Sequence, residues 1–311
     1  MQSYQIRNLI AQVERMRLRS DLFYLSKDPL PFRKANYTLP GHSRSTLEET
    51  DDFIQGRLEE LGYRVEREEC QAQAFRCNRE KPLHHWYDTP APDDPWYMVY
   101  NQYARKEGVS RPDESIVVVA HKDSPSWYDS PGAYDNASGT AGSLEIARIL
   151  TQVETERSIC FLYCNEEHTP WTSLTAAEGF RQRGERLVAV FNLDSLGGKP
   201  QADLDAGRKT NVTRYSHADG KWLADLMMEV NKVYRIGLVQ SAYFSAQPND
   251  DDGSFVKANY GAAALNVGSF PYADPHYHME GDIPERVDVE NVVKAVQASL
   301  AAILHAANDP W

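Results

Sequence analysis

Apolar residues along this chain fall into two alternating patterns. Short continuous runs, "SIVVVAH" at 115–121, "SICFLYC" at 158–164, "LVAVFNLD" at 187–194 and "GAAALNVG" at 261–268, are partly β-branched and predict buried strands. Between and after them the apolar positions take helical spacing: "TAGSLEIARILTQV", "SLTAAEGFRQRGE", "KWLADLMMEVNKVYR" and the closing "VENVVKAVQASLAAILHAA". Strands alternating with helices predict an α/β sandwich around a largely parallel sheet.

The N-terminal 23 residues predict one amphipathic helix, with Ile6, Leu9, Ile10, Val13 and Met16 on its apolar face. Residues 43–68 predict a helix, a glycine stop and a strand. Ser45 or Thr46 would cap the helix, with Glu48 or Glu49 closing a capping box. Residues 80–96, "EKPLHHWYDTPAPDDPW", predict an irregular excursion. No internal repeat interrupts the pattern, so a single domain is expected over 1–311.

Composition narrows the function classes. With 41% hydrophobic and 25% charged residues the chain can bury a large core, which excludes general disorder. A net charge of −12 argues against nucleic acid as a partner. No apolar run approaches the roughly 20 residues of a membrane span, and charge in every turn of the N-terminal segment is unlike a signal peptide. A cytoplasmic protein without a membrane partner is expected. Cys160 and Cys164 fit as small buried hydrophobes, and Cys70 and Cys77 as free thiols.

The chemistry-bearing residues cluster at strand ends, where open α/β sheets bind ligands. The first strand ends in His121 and Asp123, the second in Glu166 and Glu167, and the third in Asp194. A loop carries Asp135, and the loop after the last strand carries His276, His278 and Asp282. Converging carboxylates repel, and burying them without a cation is costly. Imidazole and carboxylate without thiolate suit zinc, or another divalent transition metal, in an open site. A two-metal site needs a bridging carboxylate with donors on either side. The acidic run 249–255 reads as a solvated loop, and His84, His85 and His276 as rim or surface residues.

The ordered set "AHKDS…GAYDNASG…NEEH…NLDS…DPHYHMEGD" resembles the M28 family of zinc aminopeptidases, over about 116–282. The resemblance implies the zinc-exopeptidase fold, a three-layer α/β/α sandwich with a mixed, mostly parallel sheet. It implies hydrolysis of N-terminal residues from short peptides, with two Zn2+ per chain. His121 and Asp194 would hold one metal, Glu167 and His278 the other, with Asp135 between them. Glu166 would be the general base, Asp123 would orient His121, and Tyr277 would help stabilise the tetrahedral intermediate. Trp127, Tyr128, Trp171, Tyr243, Phe244 and Phe270 would supply an apolar pocket.

Two departures stand out. His168 occupies a position where a glycine commonly follows the paired glutamates, and Asp252 stands where the pattern has a histidine. The alternatives are a glutaminyl-cyclase-like acyltransferase, which typically holds one zinc, and a non-catalytic binding module on the same scaffold.

Overall fold

The computed structural model describes residues 1–308, so the last three residues of the expected domain lie outside the described residues. Helices α1 (Ser3–Ile10), α2 (Arg15–Ser26) and α3 (Thr46–Glu60) open the chain and lead into β1 (Val65–Ala74). A small hairpin, β2 (Arg76–Cys77) and β3 (Tyr87–Asp88), precedes β4 (Tyr97–Lys106) and β5 (Arg111–His121). Then come α4 (Gly139–Leu150), β6 (Arg157–Cys164), β7 (His168–Thr169), α5 (Thr172–Gln182) and β8 (Arg186–Asp194). The chain continues through α6 (Gln201–Asp205), β9 (Thr210–Tyr215), α7 (Lys221–Tyr234) and β10 (Val239–Phe244). It closes with α8 (Asp250–Phe255), β11 (Ala264–Gly268) and α9 (Val289–Asn308).

Nine strands form one mixed sheet in the order β10-β9-β11-β8-β5-β6-β4-β1-β7. Its centre, β11-β8-β5-β6, is parallel, while β4, β1 and β7 extend it antiparallel. The alternation along β5 builds two cores. Ile116, Val118 and Ala120 face α1–α4, α7 and α9, whereas Val117 and Val119 face α5 and α8. This is a three-layer α/β/α sandwich. Register levels the strand ends: His121 sits beside Cys164, and Asp194 beside Gly268.

Three local expectations change. The N-terminal segment is two helices, broken at 11–14, because α4 captures the backbone there. The Glu14 amide donates to Glu145 Oε1 at 2.7 Å, and Arg148 Nη2 donates to the Gln12 carbonyl at 2.7 Å. Met16 consequently points to solvent. Gly261–Ala263 form a short 3-10 turn ahead of β11 instead of joining it. The acidic run is not a solvated loop but the buried helix α8. Elsewhere Ser45 caps α3 in a reciprocal box with Glu48, and no described helix is long and apolar enough to cross a membrane.

Candidate metal centre

The levelled strand ends deliver the five expected donors to one place. His121 closes β5, Asp194 closes β8, Glu167 follows β6 and His278 follows β11, all buried. Asp135 lies between the two imidazoles. Its Oδ1 is 3.0 Å from His121 Nε2, and its Oδ2 is 3.1 Å from His278 Nε2. Asp194 Oδ1 lies 3.4 Å from His121 Nε2, and Glu167 Oε1 lies 3.3 Å from His278 Nε2. The donors thus divide into two sets joined at Asp135.

Each imidazole turns its Nε2 inward because its Nδ1 is engaged elsewhere. His121 Nδ1 lies 3.3 Å from Asp123 Oδ1, and His278 Nδ1 lies 2.8 Å from the His84 carbonyl. Asp123 also accepts the backbone N–H groups of Glu166 and Glu167, at 3.0 and 2.8 Å. One buried carboxylate therefore orients a histidine and anchors the turn that aims two adjacent glutamates into one cavity. Burial opposes ionisation of Asp123, but His121 and His168 outweigh it and hold its carboxyl well below the usual range.

The Asp135 loop is fixed on three sides. Asp282 accepts from the amides of Tyr134 and Asp135, at 2.8 and 3.1 Å. Asn136 donates to the Leu193 carbonyl at 2.8 Å and accepts from the amides of Gly139 and Ser195, tying the loop to the end of β8. Asn136 therefore satisfies the first amide of α4. A Cβ on Gly139 would fall 2.0 Å from the Leu193 carbonyl oxygen, so this close approach requires glycine. On the third side, the fully buried Arg33 donates to the carbonyls of Lys122, Pro131 and Gly132.

Asp135 Oδ2, His278 Nε2 and Glu166 Oε2 are sealed from solvent without a hydrogen-bond partner. Buried polar atoms are rarely orphaned. Here they converge with carboxylates and imidazoles, the donor set that zinc takes, so the residues fit a divalent cation. Burial works against protonation of His278, but the Glu167 charge and Asp135 lift its pKa to about 10. A cation entering this set would displace that proton.

Beside the donors, Phe75, Tyr87, Trp127, Trp171 and Tyr277 line a pocket that reaches Glu166, with Asn249 and Asp250 on its polar side. Trp127 packs edge-on against His278 at 5.0 Å. Of the aromatics expected here, Tyr128, Tyr243, Phe244 and Phe270 are not part of this lining. Tyr128 instead donates to Glu280, while Tyr243 and Phe244 are exposed on β10. Phe75 and Tyr87 take their place, brought in by the β2–β3 hairpin that opens the irregular excursion. His276 lies outside the donor set, 3.1 Å from Arg286.

The two departures resolve structurally. Asp252 lies 2.7 Å from the buried Arg214, which also pairs with Asp250 at 3.2 Å. A cation from β9 thus meets the carboxylates of α8. His168 is buried, with Nδ1 2.7 Å from Asp123 Oδ2. Arg33, Arg214 and the His84 carbonyl carry no local signal of these roles. Cys164 is buried as expected, but its thiol also donates to Asp251 Oδ2.

Comparison with known proteins bears on family and fold. Residues 101–303 match Peptidase family M28. "Leucine aminopeptidase 1" of Pyrenophora tritici-repentis is 27% identical over 204 residues, covering 61% of this chain and 51% of that protein. A "Probable zinc metalloprotease" of Pyricularia oryzae is 26% identical over 266 residues, covering 68% of this chain and 50% of its own length. The chain thus spans about half the length of the curated relatives it matches. Among solved structures, an aminopeptidase from Aneurinibacillus sp. strain AM-1 superposes with a TM-score of 0.73 at 14% identity, over 98% of this chain and 97% of that one. The glutaminyl cyclase of Porphyromonas gingivalis shares the fold with a TM-score of 0.68 at 17% identity, over 94% and 98%. With more than half of its length matched by the family, the chain belongs to peptidase family M28.

Proposed function

We propose that the protein is a two-zinc aminopeptidase that releases N-terminal residues from short peptides. The observation that carries this reading is Asp135, whose two oxygens lie 3.0 and 3.1 Å from the Nε2 atoms of two buried imidazoles. His121 and Asp194 would hold one ion, Glu167 and His278 the other, and Asp135 both. When bound, the ions supply Lewis-acid activation of water and of the scissile carbonyl.

The remaining steps fall to the chain. Glu166 takes the proton of the attacking water and passes it to the leaving amine. Its carboxyl suits this work, because burial, then the Asp251 and Asp250 charges, raise its proton affinity well above that of a free glutamate. Tyr277, on the pocket wall, donates to the oxygen that gains charge. Asp123 holds His121 and the glutamate turn in place. The acidic surroundings favour a cationic, free α-amine, and the aromatic wall takes an apolar first side chain while excluding water. The aminopeptidase names of the relatives point the same way. Four free cysteines suit a reducing compartment, and we place the protein in the cytoplasm.

The test is hydrolysis of aminoacyl-arylamides by zinc-loaded protein, run beside the same substrates with an acetylated amine. Turnover of the free amine alone is expected. Inactivity on both, with cyclisation of N-terminal glutamine at one metal per chain, would replace this reading with the acyltransferase.

A further inference from the structure

We propose that His168 is a positioning residue of the metal centre, acting on the metal through Asp123 and His121. The proposal rests on the two-zinc reading above. His168 opens β7 and is fully buried. Its Nε2 accepts the backbone N–H of Ala35 at 3.1 Å. A nitrogen that accepts carries no proton, so the hydrogen of the neutral ring sits on Nδ1. Nδ1 lies 2.7 Å from Asp123 Oδ2 and donates to it. A backbone amide thus sets the tautomer of His168, which donates to one oxygen of Asp123, while the other oxygen accepts the Nδ1–H of His121.

Asp123 therefore receives four donors: His121 at 3.3 Å, His168 at 2.7 Å, and the amides of Glu166 and Glu167 at 3.0 and 2.8 Å. A glycine at 168 would leave three. The fourth has two consequences. It clamps Asp123 from the side opposite His121, so the ring that bears one metal-facing nitrogen cannot tilt without breaking a buried bond. It also draws charge from the carboxylate, which moderates how strongly Asp123 polarises His121. Ala35 belongs to the strap that carries Arg33, and Arg33 itself bonds the carbonyls flanking the Asp135 loop. His168 thereby ties the N-terminal strap to His121 and the glutamate turn, as Arg33 ties it to the Asp135 loop.

The experiment measures zinc affinity by chelator competition, together with the melting temperature of the metal-free protein. It compares wild type with His168→Ala, His168→Leu and His168→Asn. Asn places an amide N–H where Nδ1 stands and donates to Asp123, but it cannot accept from Ala35. Ala and Leu donate nothing, and Leu keeps the bulk should the Ala variant fold poorly. The expected result is an affinity about 10-fold weaker in the Ala and Leu variants, the lower end of the effect of removing such outer partners. Asn should restore affinity although its metal-free melting temperature falls as theirs do. Equal zinc affinity in wild type and His168→Leu overturns the proposal while leaving the metal centre intact. So does an equal loss in Leu and Asn, which reduces His168 to packing. A folded wild type that binds no zinc overturns the two-zinc reading itself, and this proposal with it.

Discussion

Asp123 shows how much one side chain can organise. It is not among the residues lining the aromatic pocket, yet His121, Glu166 and Glu167 all take their placement from it. Glu166 is the residue freed by this arrangement, with Oε2 buried and unpartnered. Glu166→Gln should keep full zinc content and lose about 10²–10⁴-fold in kcat, the usual contribution of a positioned acid–base group; metal analysis beside kinetics checks both halves. Asp282→Ala removes the acceptor for the Tyr134 and Asp135 amides. It should weaken zinc about 10–100-fold without touching a ligand, as chelator competition would read. The residues that could be read from sequence were those whose type carries chemistry at the end of an apolar run, such as His121 and Glu167. His84 could not, because it acts through a backbone carbonyl that every residue possesses. Nor could Arg33, which bonds the Leu25 carbonyl and three more that lie over 80 residues downstream.

At the scale of elements, α8 departs furthest from its sequence pattern. Three consecutive aspartates are a reasonable mark of a solvated turn, yet Asp250, Asp251 and Asp252 are all buried. Their partner Arg214 lies on β9, and no local signal joins the two. Burial raises the proton affinity of Asp250 and Asp252, and Arg214 pulls it back. Arg214→Met removes the cation that pairs with both carboxylates. It should cost about 3–5 kcal/mol in chemical denaturation, the usual penalty for stranding buried charge. The start of α4 makes a parallel case for shape. Gly139→Ala would press a methyl into the Leu193 carbonyl and Asn136. It should destabilise by about 1–3 kcal/mol and weaken zinc as well, since Asn136 ties the Asp135 loop to β8. The loop before that glycine was legible, because "GAYDNASG" carries Asp135 between a strand and a helix. The split between α1 and α2 was not, because Glu145 and Arg148, which cause it, act from another helix.

Over the whole molecule, parallel register does the positioning. Levelling β5, β6, β8 and β11 sets His121, the glutamate turn and Asp194 along one edge, and the loop after β11 returns His278 to it. The alternation of strand and helix announced this architecture, whereas the antiparallel extension through β1, β4 and β7 and the hairpin that walls the pocket depend on contacts distant in sequence. A cluster of buried carboxylates is a poor fold without its cations, so metal should act as a folding ligand. Zinc at about 1,000 times its Kd adds about 4 kcal/mol, which raises the melting temperature of the metal-free protein by on the order of 10 °C, visible by calorimetry. The most direct test of the account is elemental analysis after equilibrium dialysis against zinc, on wild type and on Asp135→Ala. The account predicts two zinc ions per wild-type chain and fewer than one in the folded variant, since both donor sets lose their shared member. A folded wild type that retains less than one ion, or an Asp135→Ala protein that still holds two, would contradict it.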